Sequence, residues 1–155
     1  MSTECEHAKD QLAVVQGEIT EAINKGLAAE ARVAEAESEL SRARSTAEQK
    51  RQAVSDADAA VSAARQALGH QEAQLIGYPG SEANLDGMRA DVDRAKENLR
   101  TANDERDAAD QEVEAAERKV AGEKYAVKTA EDEREQAMER AGNWRQRINE
   151  VCSGH

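Results

Sequence analysis

The residues best suited to do chemistry lie near the two ends of the chain. Cys5 and His7 form a C-x-H segment near the start, and Cys152 and His155 form a C-x-x-H segment at the end. If the ends meet, three outcomes are open: a disulfide, two free thiols, or a zinc site of two cysteines and two histidines. We predict a Cys5–Cys152 disulfide and no metal, because both segments are terminal and their spacing matches no familiar zinc finger.

Catalytic motifs are missing from the sequence. It contains no Walker loop, no G-x-G-x-x-G, no H-E-x-x-H and no G-x-S-x-G. Carboxylates are numerous, but on a solvated helical surface they have no reason to acquire perturbed pKa values. The sequence therefore predicts no enzyme and no cofactor.

Composition favours an elongated helical molecule with a thin core. Charged residues make up 34% of the chain and hydrophobic ones 39%, much of it alanine, with no Phe. A globular core needs larger side chains than these. The net charge of −11 disfavours nucleic acid and anionic membrane surfaces as partners. No apolar run approaches the roughly 18 residues of a membrane span, and the polar N-terminal segment does not read as a signal peptide.

A heptad repeat runs through both halves of the chain. In the first half, position a is mostly large and position d is mostly alanine, as in Leu12, Ile19, Val33 and Leu40 against Val15, Ala22, Ala29 and Ala36. In the second half, a reads Leu85, Val92, Leu99 and Val113, and d reads Ala95, Ala102, Ala109 and Ala116. This pattern predicts two arms of a left-handed coiled coil whose small d residues let the helices approach closely.

One stretch between the arms is unsuited to a helix. Ile76 is predicted to end the first arm, Gly77 to follow as a C′ residue, and Pro79, the only proline, to prevent continuation. Ser81 is a suitable N-cap for the second arm, with Asn84 as a possible later cap. The turn would fold one arm back on the other.

The predicted fold class is all-α: a long antiparallel two-helix coiled-coil hairpin with one apex turn. We expect residues 1–155 to form a single elongated hairpin. Its first arm would span about residues 4–76, its apex loop about 77–81 and its second arm about 82–151.

Two registers are open for the hairpin. In an antiparallel pair, the numbers of two facing residues have a constant sum. That sum is 156 in the first register and 163 in the second. The first register sets Lys50 level with Arg106, a like-charge conflict in the seam, whereas the second avoids it. The short loop and the cysteine positions favour the first, provided that both cations extend to water. Three further polar seam residues, Gln71, Glu123 and Arg134, are also expected to reach water.

Extra apolar residues gather near the chain ends. They are Val14, Ile23 and Leu27 on the first arm, and Trp144, Ile148 and Val151 on the second. One interpretation is a wider hydrophobic foot that plugs the coil. The other is a docking face for another domain or a second copy.

The apex is the candidate partner-binding site. Tyr78 beside Pro79, in a loop carried by a rigid hairpin, is a suitable contact residue for a protein partner. The alternative is that Tyr78 folds over the end of the seam.

The segment "SDADAAVSAA", Ser55 to Ala64, is similar to phrases in the receptor-binding helical hairpin of colicin-type bacteriocins. Those domains are long, alanine-rich, charged antiparallel coiled coils whose apex loop contacts an outer-membrane receptor. The resemblance covers about ten residues and the architecture. It implies that the receptor contact would comprise Tyr78, Pro79, Gly80, Ser81, Glu82 and Asn84.

The competing function is a structural spacer or an assembly protein that associates laterally. Alanines outside the seam could allow such packing: Ala53, Ala60, Ala67 and Ala126. The first hypothesis expects a monomer that binds through its loop, and the second a homo-oligomer indifferent to the loop. An oxidised Cys5–Cys152 pair would favour a secreted or extracellular location, and free thiols a cytoplasmic one.

Overall fold

The computed structural model describes residues 2–75 and 82–153, which form two long helices and no strand. Helix α1 spans Thr3–Gln74 and helix α2 spans Glu82–Cys152. They pack against each other in opposite directions, so the prediction of an all-α two-helix hairpin is confirmed. The predicted end of the first arm, Ile76, and the predicted loop, 77–81, lie outside the described part of the chain.

The start of α1 is capped by its own sequence. The backbone N–H of Cys5 donates a hydrogen bond to Ser2 Oγ at 3.1 Å, which satisfies one of the free donors of the first turn. Glu4 and Glu6 place negative charge beside the positive end of the helix dipole. These local features explain why the helix begins at Thr3.

The two helices run through two compact units. The terminal unit comprises Met1–Ser38 and Glu117–His155, and the turn unit comprises Glu39–Ala116. In each unit, one stretch of α1 packs against one stretch of α2.

The core of the terminal unit is a thin seam. Val15, Ala137 and Ala141 are buried together, and Leu12, Ile19 and Trp144 pack against them. Farther along the same seam, a Cβ atom built at Gly26 would lie 3.7 Å from the Cβ of Ala130. The numbers of this facing pair, Gly26 and Ala130, add to 156. This is the first of the two predicted registers.

The turn unit has a similar seam. Its buried residues occupy the predicted a and d positions: Leu40, Ala47, Val61, Leu85, Val92, Ala102 and Ala109. In layers such as Val61 with Ala95, whose numbers add to 156, alanine on one side leaves room for the larger aliphatic residue of the facing helix. The heptad pattern therefore predicted which side chains are buried in this unit.

The like-charge layer in the turn unit is relieved at the surface. Lys50 Nζ lies 3.2 Å from Glu105 Oε2, and its side chain is 37% exposed. Arg106 Nη2 lies 3.0 Å from Asp107 Oδ1, and its side chain is 35% exposed. Both cations reach water and a carboxylate, as the sequence predicted for this register.

The remaining polar seam residues also reach solvent. Glu123 is half-buried and accepts a hydrogen bond of 2.7 Å from Arg32 Nε across the terminal unit. Gln71 is half-buried and Arg134 is exposed. Among residues 2–75 and 82–153, no polar or charged residue is buried.

Candidate functional site

The turn between the helices is bounded by Gln74, which ends α1, and Glu82, which begins α2. Of the predicted contact residues, Tyr78, Pro79, Gly80 and Ser81 lie outside the described part of the chain. Glu82 and Asn84 lie in the first turn of α2, and both are exposed. The predicted site is thus described only on its α2 side.

A small charged cluster stands on this side of the turn. Arg89 Nη1 lies 3.4 Å from Glu82 Oε2 and 3.1 Å from Asp86 Oδ1. Desolvation lowers the pKa of the Arg89 guanidinium, but the hydrogen bonds and charges of Glu82 and Asp86 outweigh it, so the pKa is raised. The cluster places the Glu82 carboxylate beside a cation at the start of α2.

The opposite chain ends are joined by a disulfide between Cys5 and Cys152. Their Cα atoms lie 5.2 Å apart, within the range that a disulfide requires. Cys5 is buried at the end of the seam, and neither cysteine is free. The predicted pairing of Cys5 with Cys152 is confirmed.

The zinc alternative would need the same two cysteines. The sulfur atoms of Cys5 and Cys152 are consumed by the disulfide, and zinc binds thiolates. His7 instead packs edge-on against Trp144, with 5.9 Å between ring centroids, while His155 lies outside the described residues. No group of residues among those described could hold a metal ion.

The predicted hydrophobic foot is not one surface. Val14, Ile23 and Leu27 are exposed, so the interpretation that they plug the coil is wrong. Val14 and Ile23 are nine residues apart, which places them on opposite sides of α1 at 100° per residue. On α2, the three apolar residues Trp144, Ile148 and Val151 are half-buried at seam positions.

Sequence reasoning missed two exposed apolar residues on α2. Tyr125 is 71% exposed and Met138 is 54% exposed. The signal was present, because the repeat that starts at Leu85 assigns Tyr125 to position f and Met138 to position e, both outside the seam. Tyr125 stands beside Ala126 over a shallow groove along the terminal unit.

Comparisons with protein-family models, curated proteins and solved structures found no match to this chain. Within the described residues, neither helix contains a segment apolar enough to cross a membrane.

Proposed function

We propose that the chain is a non-catalytic protein-binding module, a coiled-coil hairpin that presents its apex loop to a partner. The observation that carries the proposal is the position of the turn. The two helices flank a short interval that contains the only proline and one of the two tyrosines of the chain. The two helices hold both ends of this interval, at Gln74 and Glu82, and fixing the ends of a binding segment in advance lowers the entropy lost on binding.

The partner class we propose is a cell-surface receptor, as in bacteriocin receptor-binding domains. The contact would be made by Tyr78 and Pro79, with Gly80, Ser81, Glu82 and Asn84 around them. Tyrosine buries a large amphipathic surface at a small cost in side-chain entropy and is enriched at interface hot spots. The net charge of −11 favours a protein partner over nucleic acid.

The non-catalytic role has independent support. The described part of the chain buries no polar or charged side chain, whereas catalytic groups owe their perturbed pKa values to burial and to charged neighbours. An oxidising location, outside the cell, is part of the same proposal. It is supported by the Cys5–Cys152 disulfide, since reducing compartments keep thiols unpaired.

The test is binding of fluorescently labelled hairpin to intact bacterial cells and to the same cells after surface proteolysis. We expect saturable, protease-sensitive binding that is lost when residues 77–84 are replaced by a neutral turn. Tyr78→Ala should weaken binding by about tenfold or more, as expected for a hot-spot residue.

Tyr125→Ala is the matched control, because Tyr125 is the only other tyrosine and is 71% exposed on α2. It should bind like the unmodified protein. Equal loss in the Tyr78 and Tyr125 variants, or full binding after replacement of the loop, would contradict the proposal.

A further inference from the structure

The outer face of α1 carries no charge between Ala13 and Ala34. Between Ala13 and Ala34 this face is exposed and consists of small or uncharged residues: Ala13, Gly17, Thr20, Asn24, Ala31 and Ala34, with Leu27 among them. A solvated coiled-coil surface is ordinarily rich in Lys, Arg, Glu and Asp. In a chain with 34% charged residues, this face is an exception.

The corresponding face of α2 in the same unit behaves as expected for a solvated surface. Arg118, Lys128, Asp132, Glu135 and Glu139 are all exposed on it. The absence of charge is therefore a property of α1 alone, not of the whole unit.

Two large apolar side chains stand next to each other here: Leu27 on the uncharged face and Ile23 at its edge. Ile23 is 41% exposed and Leu27 is 60% exposed, and their spacing of four residues sets them side by side on α1. They line a groove where Gly26 contributes no side chain to the seam. Three charged residues, Glu30, Glu131 and Arg134, also line this groove.

We propose that this surface binds a second copy of the chain, with α1 packed against α1 of the other copy in the antiparallel direction. Each copy carries a net charge of −11, so association through a charged face would add repulsion and strip carboxylates of water. The uncharged face of α1 avoids both costs. A face of this kind matches another uncharged helical face, and α1 of the second copy supplies one.

Charge complementarity selects the antiparallel direction. A two-fold axis between Ile23 and Leu27 sets Ile23 of one copy against Leu27 of the second copy. In the observed register Arg134 is level with Ala22 of its own chain. The two-fold axis places Ala22 level with residue 28 of the second copy, so Arg134 and Glu30 of the second copy differ by about 3 Å in position along the helix axis. A parallel pairing would set Arg134 level with its own counterpart and Glu30 level with Glu30, which repels.

This inference is separate from the apex function and does not depend on it. It gives the lateral association considered from the sequence a specific surface, which differs from the predicted Ala53, Ala60 and Ala67. The measurement is sedimentation equilibrium of the disulfide-bonded chain across the micromolar range. We expect a concentration-dependent mass that rises from 16.8 kDa to twice that value. A monomer throughout that range would overturn the inference.

Leu27→Glu should weaken the dimer by at least about thirtyfold, because it places two carboxylates in the apolar contact. Val14→Glu is the matched control: Val14 is equally exposed, at 55%, but lies on another side of α1. Its dimer should be unchanged. Far-UV circular dichroism should show both variants as helical as the unmodified chain. Equal weakening in both variants, or a dimer unaffected by Leu27→Glu, would place the interface elsewhere.

Two further measurements test the direction and the physical basis. When Ile23→Cys and Leu27→Cys variants are mixed and oxidised, the mixed cross-link should form faster than either self cross-link. Faster self cross-linking would mean a parallel pair. Added salt should strengthen the dimer, because it screens repulsion between two acidic copies. A dimer that weakens with salt would instead be held by surface ion pairs. Because Leu27→Glu leaves the turn intact, its cell binding should persist, which separates this inference from the apex function.

Discussion

Replacement of Gly26 by alanine tests the seam of the terminal unit directly. Gly26 lies inside the continuous helix α1, where glycine is less favourable than alanine by about 1 kcal/mol because of its backbone entropy. It also occupies an a position, where its missing side chain leaves a layer unfilled.

The structure sets the size of the effect. The new Cβ would lie 3.7 Å from Ala130 Cβ, an ordinary van der Waals contact that requires no movement of either helix. Half-burial of one methyl group adds about 0.4 kcal/mol to the propensity gain. Together the two terms predict that the free energy of unfolding rises by about 1–1.5 kcal/mol.

The assay is urea unfolding followed by far-UV circular dichroism, with the disulfide intact. Gly17→Ala is the matched control, because Gly17 is exposed in the same helix and a Cβ there meets nothing within 4 Å. At a concentration where the chain is monomeric, it should report the propensity gain alone. The difference between the two variants then measures packing across the seam.

A lower stability of Gly26→Ala would refute the reasoning. It would mean that α1 and α2 approach more closely at this layer than the contact with Ala130 allows, so that the added methyl group overpacks the seam. A gain in Gly17→Ala that exceeds the gain in Gly26→Ala would also contradict a packing contribution.

Three other substitutions give further tests of the hairpin. Cys5→Ser should lower the free energy of unfolding by about 4–5 kcal/mol, since the disulfide closes a loop of 147 residues in sequence. Urea unfolding with and without reductant measures this loss. A loss below about 1 kcal/mol would contradict the prediction. Ala141→Leu should destabilise the hairpin by about 1–3 kcal/mol, because Ala141 is 0% exposed and the seam has no room for a larger side chain. If its melting temperature equals that of a leucine variant at an exposed alanine, the seam contains unused space. Arg106→Leu should raise stability by about 1 kcal/mol, because it replaces a charge at a seam position by an apolar side chain. A loss measured by the same unfolding assay would mean that the charged layer with Lys50 contributes more than apolar packing does.

The heptad determined which side chains become buried. Val15, Ala22 and Ala29 were assigned to the seam from spacing alone, and all three are buried. This succeeds because the period of seven is a local property: each apolar side chain must leave water, and only one stripe of each helix can face the other. The helical content follows equally locally from alanine and the charged residues.

The sequence also predicted where the chain turns, but not the residues at which the helices end. Gly77 and Pro79 indicated a break between the arms, yet α1 ends at Gln74. Leu75 is acceptable in a helix by its own propensity, and its backbone N–H still donates to Gln71 O at 2.9 Å, yet it lies beyond the last helical residue. Helix propensity therefore did not give the exact end of α1.

The register and the exposed surfaces were decided only by the tertiary structure. A heptad repeat looks the same after a shift of seven residues, so the pattern admitted facing numbers that add to 156 or to 163. Pairwise contacts between residues distant in sequence, such as Cys5 with Cys152 and Gly26 with Ala130, select the first. Likewise, the sequence grouped Val14 with Leu27, whereas the helix separates them around its axis. Periodicity fixes which side of a helix is apolar, but the partner of each residue depends on the packing of the whole hairpin.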